Sequence, residues 1–376
     1  MSGLTAYTGA RIFDGEAWHD DAALIVDGDR IHSIGPIPDG AETIALEGGM
    51  LAPGFVDLQV NGGGGHLVGP GTTVEDLRLV CDTHACFGVT SLLPTLISDS
   101  VEVTEAVLAA GAHAARQGMA GFIGLHLEGP HLSLSRKGAH DPRLLRPMVE
   151  SDLVRLERAR TALPHLVVTV AAEAASPEQI ARLVRAGIVV SLGHSGATFE
   201  TAGAAIRAGA TLVTHLFNAM SQLGNREPGL VGAALHHGSV SAGVIADGVH
   251  VHPASLGAAL RAKRGPGRIF LVSDSMSQVG TDITYFALNG RTIHRRDGVL
   301  RLDDGTLAGA DLTLDRAVRY ARSSLNLSRA EALRMAGLYA AHAIGAENHG
   351  RLAPGGRADF VNMSADMNVL ATRDGS

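Results

Sequence analysis

Between residues 54 and 273 short apolar runs recur, and each gives way to a longer stretch, often one whose hydrophobic positions return every three or four residues. Apolar runs bounded by turn residues mark strands buried on both faces, and the 3.6-residue period marks helices lying against them. The runs predict strands at 54–60, 90–94, 121–128, 166–171, 188–193, 211–215, 241–246 and 268–273. The helical periods predict α-helices at 74–87, 101–117, 177–186, 198–208 and 253–261. Strand following helix through eight strands predicts an α/β fold, a (β/α)8 TIM barrel, with its chemistry at the carboxyl ends of the strands.

The flanks have a different texture. Residues 4–49 are short β-prone pieces parted by Asp-Gly, Gly-Asp and Pro-containing turns, which predicts a small antiparallel β unit with a hairpin at Gly28-Asp29. Residues 281–308 break the barrel rhythm with turn signals at Asn289-Gly290 and at 303–305, a β-hairpin insertion. Helices resume at 312–323 and 328–344, the second opened by the N-cap candidate Ser328. The tail reads as turns and a strand, with Gly355-Gly356 marking a hairpin, and is expected to return to the amino-terminal unit. The expected domains are a small β-sandwich-like one from residues 1–52 plus 349–376 and a barrel over 53–348 with its insertion near 281–308.

Composition narrows the function. A net charge of −7 argues against a nucleic-acid surface, which needs clustered Lys and Arg. The chain shows neither a leader pattern in its first residues nor an apolar run of about 20, so no membrane span is expected and a cytoplasmic protein is. Cys81 and Cys86 fall in one predicted helix without the spacing of a zinc ribbon or disulfide framework, and are expected to be core or surface thiols.

The 18 histidines matter by position. Along 124–131, strand alternation puts His126 and Glu128 on one face. Glu128, His194, His215 and Asp274 each close or follow a predicted strand, and in a barrel such ends converge on one mouth. Each alone reads equally well as a helix cap or a satisfied strand-end residue. Together, one Glu and two His make a three-ligand divalent metal site with an open position, and Asp274 is its general base. His126 goes to the barrel interior, since the ligand set is complete without it. Loop residues His140, Asn218, Arg226 and His250 are candidates to read substrate, Arg226 and His250 suiting an anion such as phosphate. The run Asn61 to Gly65 is not a phosphate loop, because no Lys-Ser/Thr follows it. His131, His236, His237 and His252 receive no role.

The motifs APGFVDLQVNGGGG, HLEGPHLSLSRKGAHDP, SLGHSGA, THLFNAMSQL, REPGLVGAAL, IADGVHVHP, LVSDSM, LAGADLTLDRAVR and GRLAPGGRADFV span nearly the whole chain. They resemble those of the amidohydrolase superfamily and, more closely, of the N-acetylglucosamine-6-phosphate deacetylases. The resemblance implies hydrolysis of N-acetylglucosamine 6-phosphate to glucosamine 6-phosphate and acetate in amino-sugar catabolism. It implies metal at Glu128, His194 and His215 and the base at Asp274. His140, with Ala139 beside it, matches the family histidine that contacts the sugar and the acyl carbonyl, and Asn218 and Ala219 match the sugar-binding loop. Arg226 and His250 match phosphate ligands that reach the neighbouring subunit's site in a homodimer. Many amidohydrolases carry His-x-His for a second metal where this chain has Gln59 and Asn61, so the two amides are expected to face substrate beside one divalent ion per subunit. Zinc is the expected ion, with iron, cobalt or manganese as alternatives. Alternative readings are the same chemistry on N-acetylgalactosamine 6-phosphate or another N-acyl substrate, and a non-catalytic binding barrel.

Overall fold

In the computed structural model, which describes residues 3–374, eight parallel strands form the centre. They are β1 (Phe55–Val60), β2 (Val89–Ile97), β3 (Leu125–Glu128), β4 (Leu166–Val170), β5 (Val189–Leu192), β6 (Leu212–Val213), β7 (Ser241–Val244) and β8 (Ile269–Leu271). A two-residue strand, Gly121–Phe122, pairs with β2 just ahead of β3. Neighbours pair in sequence order from β1 to β8, each in parallel register. A helix follows every strand: Val74–Ala85, Val101–Arg116, Glu150–Arg160, Pro177–Arg185, Phe199–Arg207, Gly229–His236, Pro253–Ala262 and Leu314–Ser323.

Two of these helices leave little periodic trace in the sequence. Gly229–His236 is apolar and buried from Gly229 to Leu235, with only His236 at its end polar, so it has no polar face to set a period. Glu150–Arg160 is mostly charged, and electrostatics hold its start. The Asp152 carboxylate accepts from Arg146 Nη2 at 2.6 Å, Arg155 Nη1 at 2.9 Å and Val149 N at 3.0 Å. Burial pulls this carboxyl upward, but the Arg146 bonds prevail and hold it at about 2, below its ordinary 3.8. A depressed carboxylate contributes stability above 3.8 that disappears as pH falls toward 2. Asp152→Asn is therefore expected to cost about 1–2 kcal/mol at neutral pH, modest because the arginines are partly screened by solvent. Urea midpoints should differ between the two proteins at pH 7 and converge as the solution is acidified. A constant difference across that range would contradict the assignment.

The barrel closes by an unusual seam. Asp274 N donates to Gln59 O at 3.0 Å and Asn61 N to Ser275 O at 2.9 Å, but nearer the barrel's base the Asp57 carboxylate accepts Ser273 N at 3.2 Å in place of a ladder carbonyl. Asp57, Gln59 and Asn61 alternate onto the inward face of β1, and burial pushes the Asp57 carboxyl up to about 7. His126 lies in the same interior, bonded to Leu58 O at 2.9 Å and Thr169 Oγ1 at 2.7 Å, and burial pushes it down to about 4. It is part of the barrel filling.

Outside the barrel, a five-stranded sheet runs in the order Val369–Asp374, Asp359–Met363, Met50–Pro53, Arg11–Phe13 and Trp18–His19, joining both ends of the chain. A four-stranded sheet of Arg30–Gly35, Ala23–Asp27, Leu4–Thr8 and Glu42–Ala45 completes the region. The expected all-antiparallel unit is corrected here, since Leu4–Thr8 pairs with Glu42–Ala45, and Arg11–Phe13 with Met50–Pro53, in parallel. Gly355-Gly356 is not a strand hairpin: it is a turn clamped to Ile31 by two backbone bonds, and the hairpin lies further on, between Asp359–Met363 and Val369–Asp374. The outermost residues of the expected small domain, Met1, Ser2, Gly375 and Ser376, lie outside the described residues.

The insertion is also larger than a hairpin. Tyr285–Leu288, Arg291–Arg296 and Val299–Leu302 form a three-stranded antiparallel sheet. Asp297-Gly298 repeats the paired positive φ of Asn289-Gly290, 52° and 74° against 48° and 75°, the backbone a two-residue hairpin turn requires. The single helix expected at 328–344 is split at Gly337 into Arg329–Ala336 and Leu338–Ala343. Ser328 caps the first, accepting from Glu331 N at 3.1 Å.

Candidate active site

Glu128 is the last residue of β3, while His194, His215 and Asp274 each follow the end of β5, β6 and β8 by two or three residues. All four are buried. His194, His215 and Asp274 adopt φ of 46°, 30° and 48°, a left-handed conformation uncommon for side chains of this kind and typical of residues held by a site. Neither His194 nor Asp274 caps a helix. Thr198 caps the helix after β5, and Thr313 occupies the cap position after β8.

The carboxylate and the two imidazoles converge. Glu128 Oε1 lies 3.3 Å from His194 Nε2 and 3.0 Å from His215 Nε2, and the two nitrogens are 3.1 Å apart. His194 Nδ1 sits 2.8 Å from the carbonyl of Arg136 and must carry a hydrogen to bond it, so in the neutral ring Nε2 presents a lone pair. His215 Nδ1 is buried without a partner among the described residues. Two imidazole nitrogens crowded onto one anionic oxygen are a poor hydrogen-bond set, and they fit a divalent cation, whose neutral-imidazole and carboxylate ligands this is. Burial favours the neutral Glu128 carboxyl, but His194 and His215 hold it well below its usual range. Glu128 in turn raises His215 against the effect of burial.

Asp274 stands beside this group. Gln59 Nε2 donates both to Glu128 Oε1 at 3.2 Å and to Asp274 Oδ1 at 3.1 Å, and Asn61 Nδ2 donates to the same Oδ1 at 2.8 Å. Both amides land on one oxygen, so Oδ2 carries neither bond. Burial and the Glu128 charge push this carboxyl up to about 6. His140 packs edge-on against His194, ring centroids 4.5 Å apart, with Nε2 3.8 Å from Glu128 Oε2. Burial and His194 push it down to about 3, leaving a neutral ring.

These groups open into a cavity of about 370 Å³. Ala139, His140, Asn218, Ala219 and His250 line it as the sequence predicts, and Asn61, also in its wall, has a buried Oδ1 with no hydrogen-bond partner among the described residues. Two predicted residues stand elsewhere. Gln59 lies behind Glu128 and Asp274 with its amide spent on them, a buttress rather than a lining residue. Arg226 is exposed on a loop outside the cavity wall. His250 lines the cavity of its own chain, held by Asp247 at 2.6 Å. Sequence reasoning missed the insertion's share: Leu288 and the segment after the insertion's sheet, Leu307, Ala308 and Gly309, also line the cavity. Of the unassigned histidines, His131 bonds Arg146 O at 3.2 Å, His252 caps the helix Pro253–Ala262, and His236 and His237 pack around Phe199.

Residues 50–373 match the model of the amidohydrolase family. The chain belongs to that family. Among its relatives this amidohydrolase is 45% identical over 326 residues, 87% of its length and 82% of the other's, to the N-acetylgalactosamine-6-phosphate deacetylase of Shewanella sp. (strain ANA-3). It is 34% identical over 362 residues, 94% of its length and 93% of the other's, to the N-acetylglucosamine-6-phosphate deacetylase of Haemophilus influenzae. Its fold matches the crystal structure of N-acetylglucosamine-6-phosphate deacetylase from Pasteurella multocida with a TM-score of 0.95 at 34% identity, covering 99% of this chain and 98% of that one.

Proposed function

We propose that this amidohydrolase removes acetate from N-acetylglucosamine 6-phosphate, giving glucosamine 6-phosphate. The observation carrying the reading is the meeting of Glu128, His194, His215 and Asp274 in one cavity of a chain whose near-full-length relatives bear that activity's name. Glu128, His194 and His215 would hold one divalent ion, zinc being expected and iron, cobalt or manganese suiting the same donors. That ion supplies Lewis acidity, which lowers the pKa of water and polarises a carbonyl. Asp274, through Oδ2, takes the proton of the attacking water and returns it to the departing nitrogen, so the C–N bond breaks to an amine rather than an amide anion. His140 donates to the acyl oxygen as charge gathers on it. Asn218 and Ala219 meet the sugar.

His250 is assigned to the phosphate from within its own cavity, and Arg226, on its exposed loop, to the phosphate in the neighbouring subunit of a homodimer. Because both act on a group remote from the scissile bond, Arg226→Ala should raise KM for the phosphorylated sugar about 10- to 100-fold with kcat nearly unchanged. An unchanged KM would remove Arg226 from the site. The division into a small domain, 1–52 plus 349–376, and a catalytic barrel, 53–348, and a cytoplasmic setting suited to a phosphorylated sugar, belong to the same reading.

One observation favours a second substrate: the Shewanella relative is named for the galactosamine epimer. Comparing kcat/KM for the two N-acetylhexosamine 6-phosphates decides between them. A ratio above one for the glucosamine form supports the first reading, and the reverse supports the second.

A further inference from the structure

The loop that carries His140 is held from β2 and from the insertion together. Ser98, buried directly after β2, presents its backbone N–H to His140 Nδ1 at 3.3 Å and its Oγ to the same nitrogen at 2.8 Å. A hydroxyl can donate or accept, so Oγ alone leaves the ring's tautomer open. A backbone N–H can only donate. With the N–H donating, Nδ1 offers its lone pair, the Ser98 hydroxyl turns its one hydrogen to Nδ1 at 2.8 Å in preference to Glu128 O at 3.4 Å, and the ring's hydrogen falls on Nε2, the nitrogen on the Glu128 side of the cavity.

The insertion locks this arrangement. At its first turn, Asn289 Nδ2 reaches Ser98 O at 3.5 Å and Arg291 Nη2 donates to Ala139 O, the residues that set and precede His140. Beneath the turn, Ile97 and Ala139 pack on the insertion's own core of Leu288, Ile293 and Leu300. Ile97 precedes Ser98 as Ala139 precedes His140, so one apolar patch fixes both ends of the bond.

We infer that Ser98 is a positioning residue that fixes His140 as the Nε2–H tautomer, with the three-stranded insertion clamping the pair, so that the cavity presents a ready-made donor to the acyl oxygen. This rests on the reading of His140 as that oxygen's partner. The test uses zinc-loaded full-length protein with ring-15N histidine, the His140 signals being identified by their absence from His140→Gln. One-bond proton coupling is expected on Nε2 and none on Nδ1. Ser98→Ala should lower kcat about tenfold with KM within about twofold, and Ser98→Thr, which keeps the hydroxyl, should recover most of it. Melting temperatures of both variants separate this from a loss of fold. Coupling on Nδ1 in the wild type, or wild-type kcat in a folded Ser98→Ala protein, overturns the inference. Wild-type protein with the stated tautomer but no acetate release would instead sink the proposed function and leave the tautomer assignment standing.

Discussion

Asp274→Asn protein should keep its fold and its metal yet release acetate about a thousandfold more slowly than wild type. The contrast is built into the hydrogen bonds. Gln59 and Asn61 both donate to Oδ1, and an asparagine in the same rotamer offers an amide oxygen that accepts both. What disappears is the second oxygen, replaced by an NH2 that cannot take a proton from water. The carboxyl's rise to about 6 serves the same end, because a base whose pKa lies near the working pH both accepts the proton and gives it back. Steady-state rates beside metal content on the same preparation check this. A metal-replete variant with wild-type turnover would show that the proton goes elsewhere.

Glu128→Gln should lose metal and activity together. Among Glu128, His194 and His215 it supplies the negative charge, and its Oε1 lies within 3.3 Å of both imidazole nitrogens. A glutamine of equal size keeps the packing of β3 but presents a neutral oxygen, or an NH2 facing the two lone pairs. Metal affinity is expected to fall at least about a hundredfold, more than the loss of an outer-shell partner brings. Added metal should restore part of the rate, which removal of the base in Asp274→Asn does not allow. Full metal occupancy in Glu128→Gln at stoichiometric supply would show that Glu128 is not a ligand.

The barrel was legible because its strands are continuous apolar runs and most of its helices have two faces. The exceptions are physical ones. Gly229–His236 has no polar face, and the charged start of Glu150–Arg160 is held by Arg146 and Arg155 around Asp152 rather than by an apolar stripe. The strand ends at Glu128, His194, His215 and Asp274 were legible because barrel topology turns position along a strand into position at the mouth. Contacts made across the seam and the insertion were not. Gln59 is expected to face substrate from the family's His-x-His position, and only the closure of β1 on β8 shows its amide committed to Glu128 and Asp274. Asp57 gives no signal of replacing a ladder carbonyl, and Ser98, 42 positions from His140, gives none of its bond. A local pattern carries the period of an element, not the partner that a distant loop brings to it.

Acetate release from N-acetylglucosamine 6-phosphate, followed before metal stripping, after it and after zinc is returned, tests the central claim most directly. The account predicts acetate and glucosamine 6-phosphate in equal amounts, a rate that vanishes with the metal and returns with it, and at least about a hundredfold weaker turnover of the unphosphorylated sugar. Undiminished release from stripped protein, or equal rates on the two sugars, would contradict it.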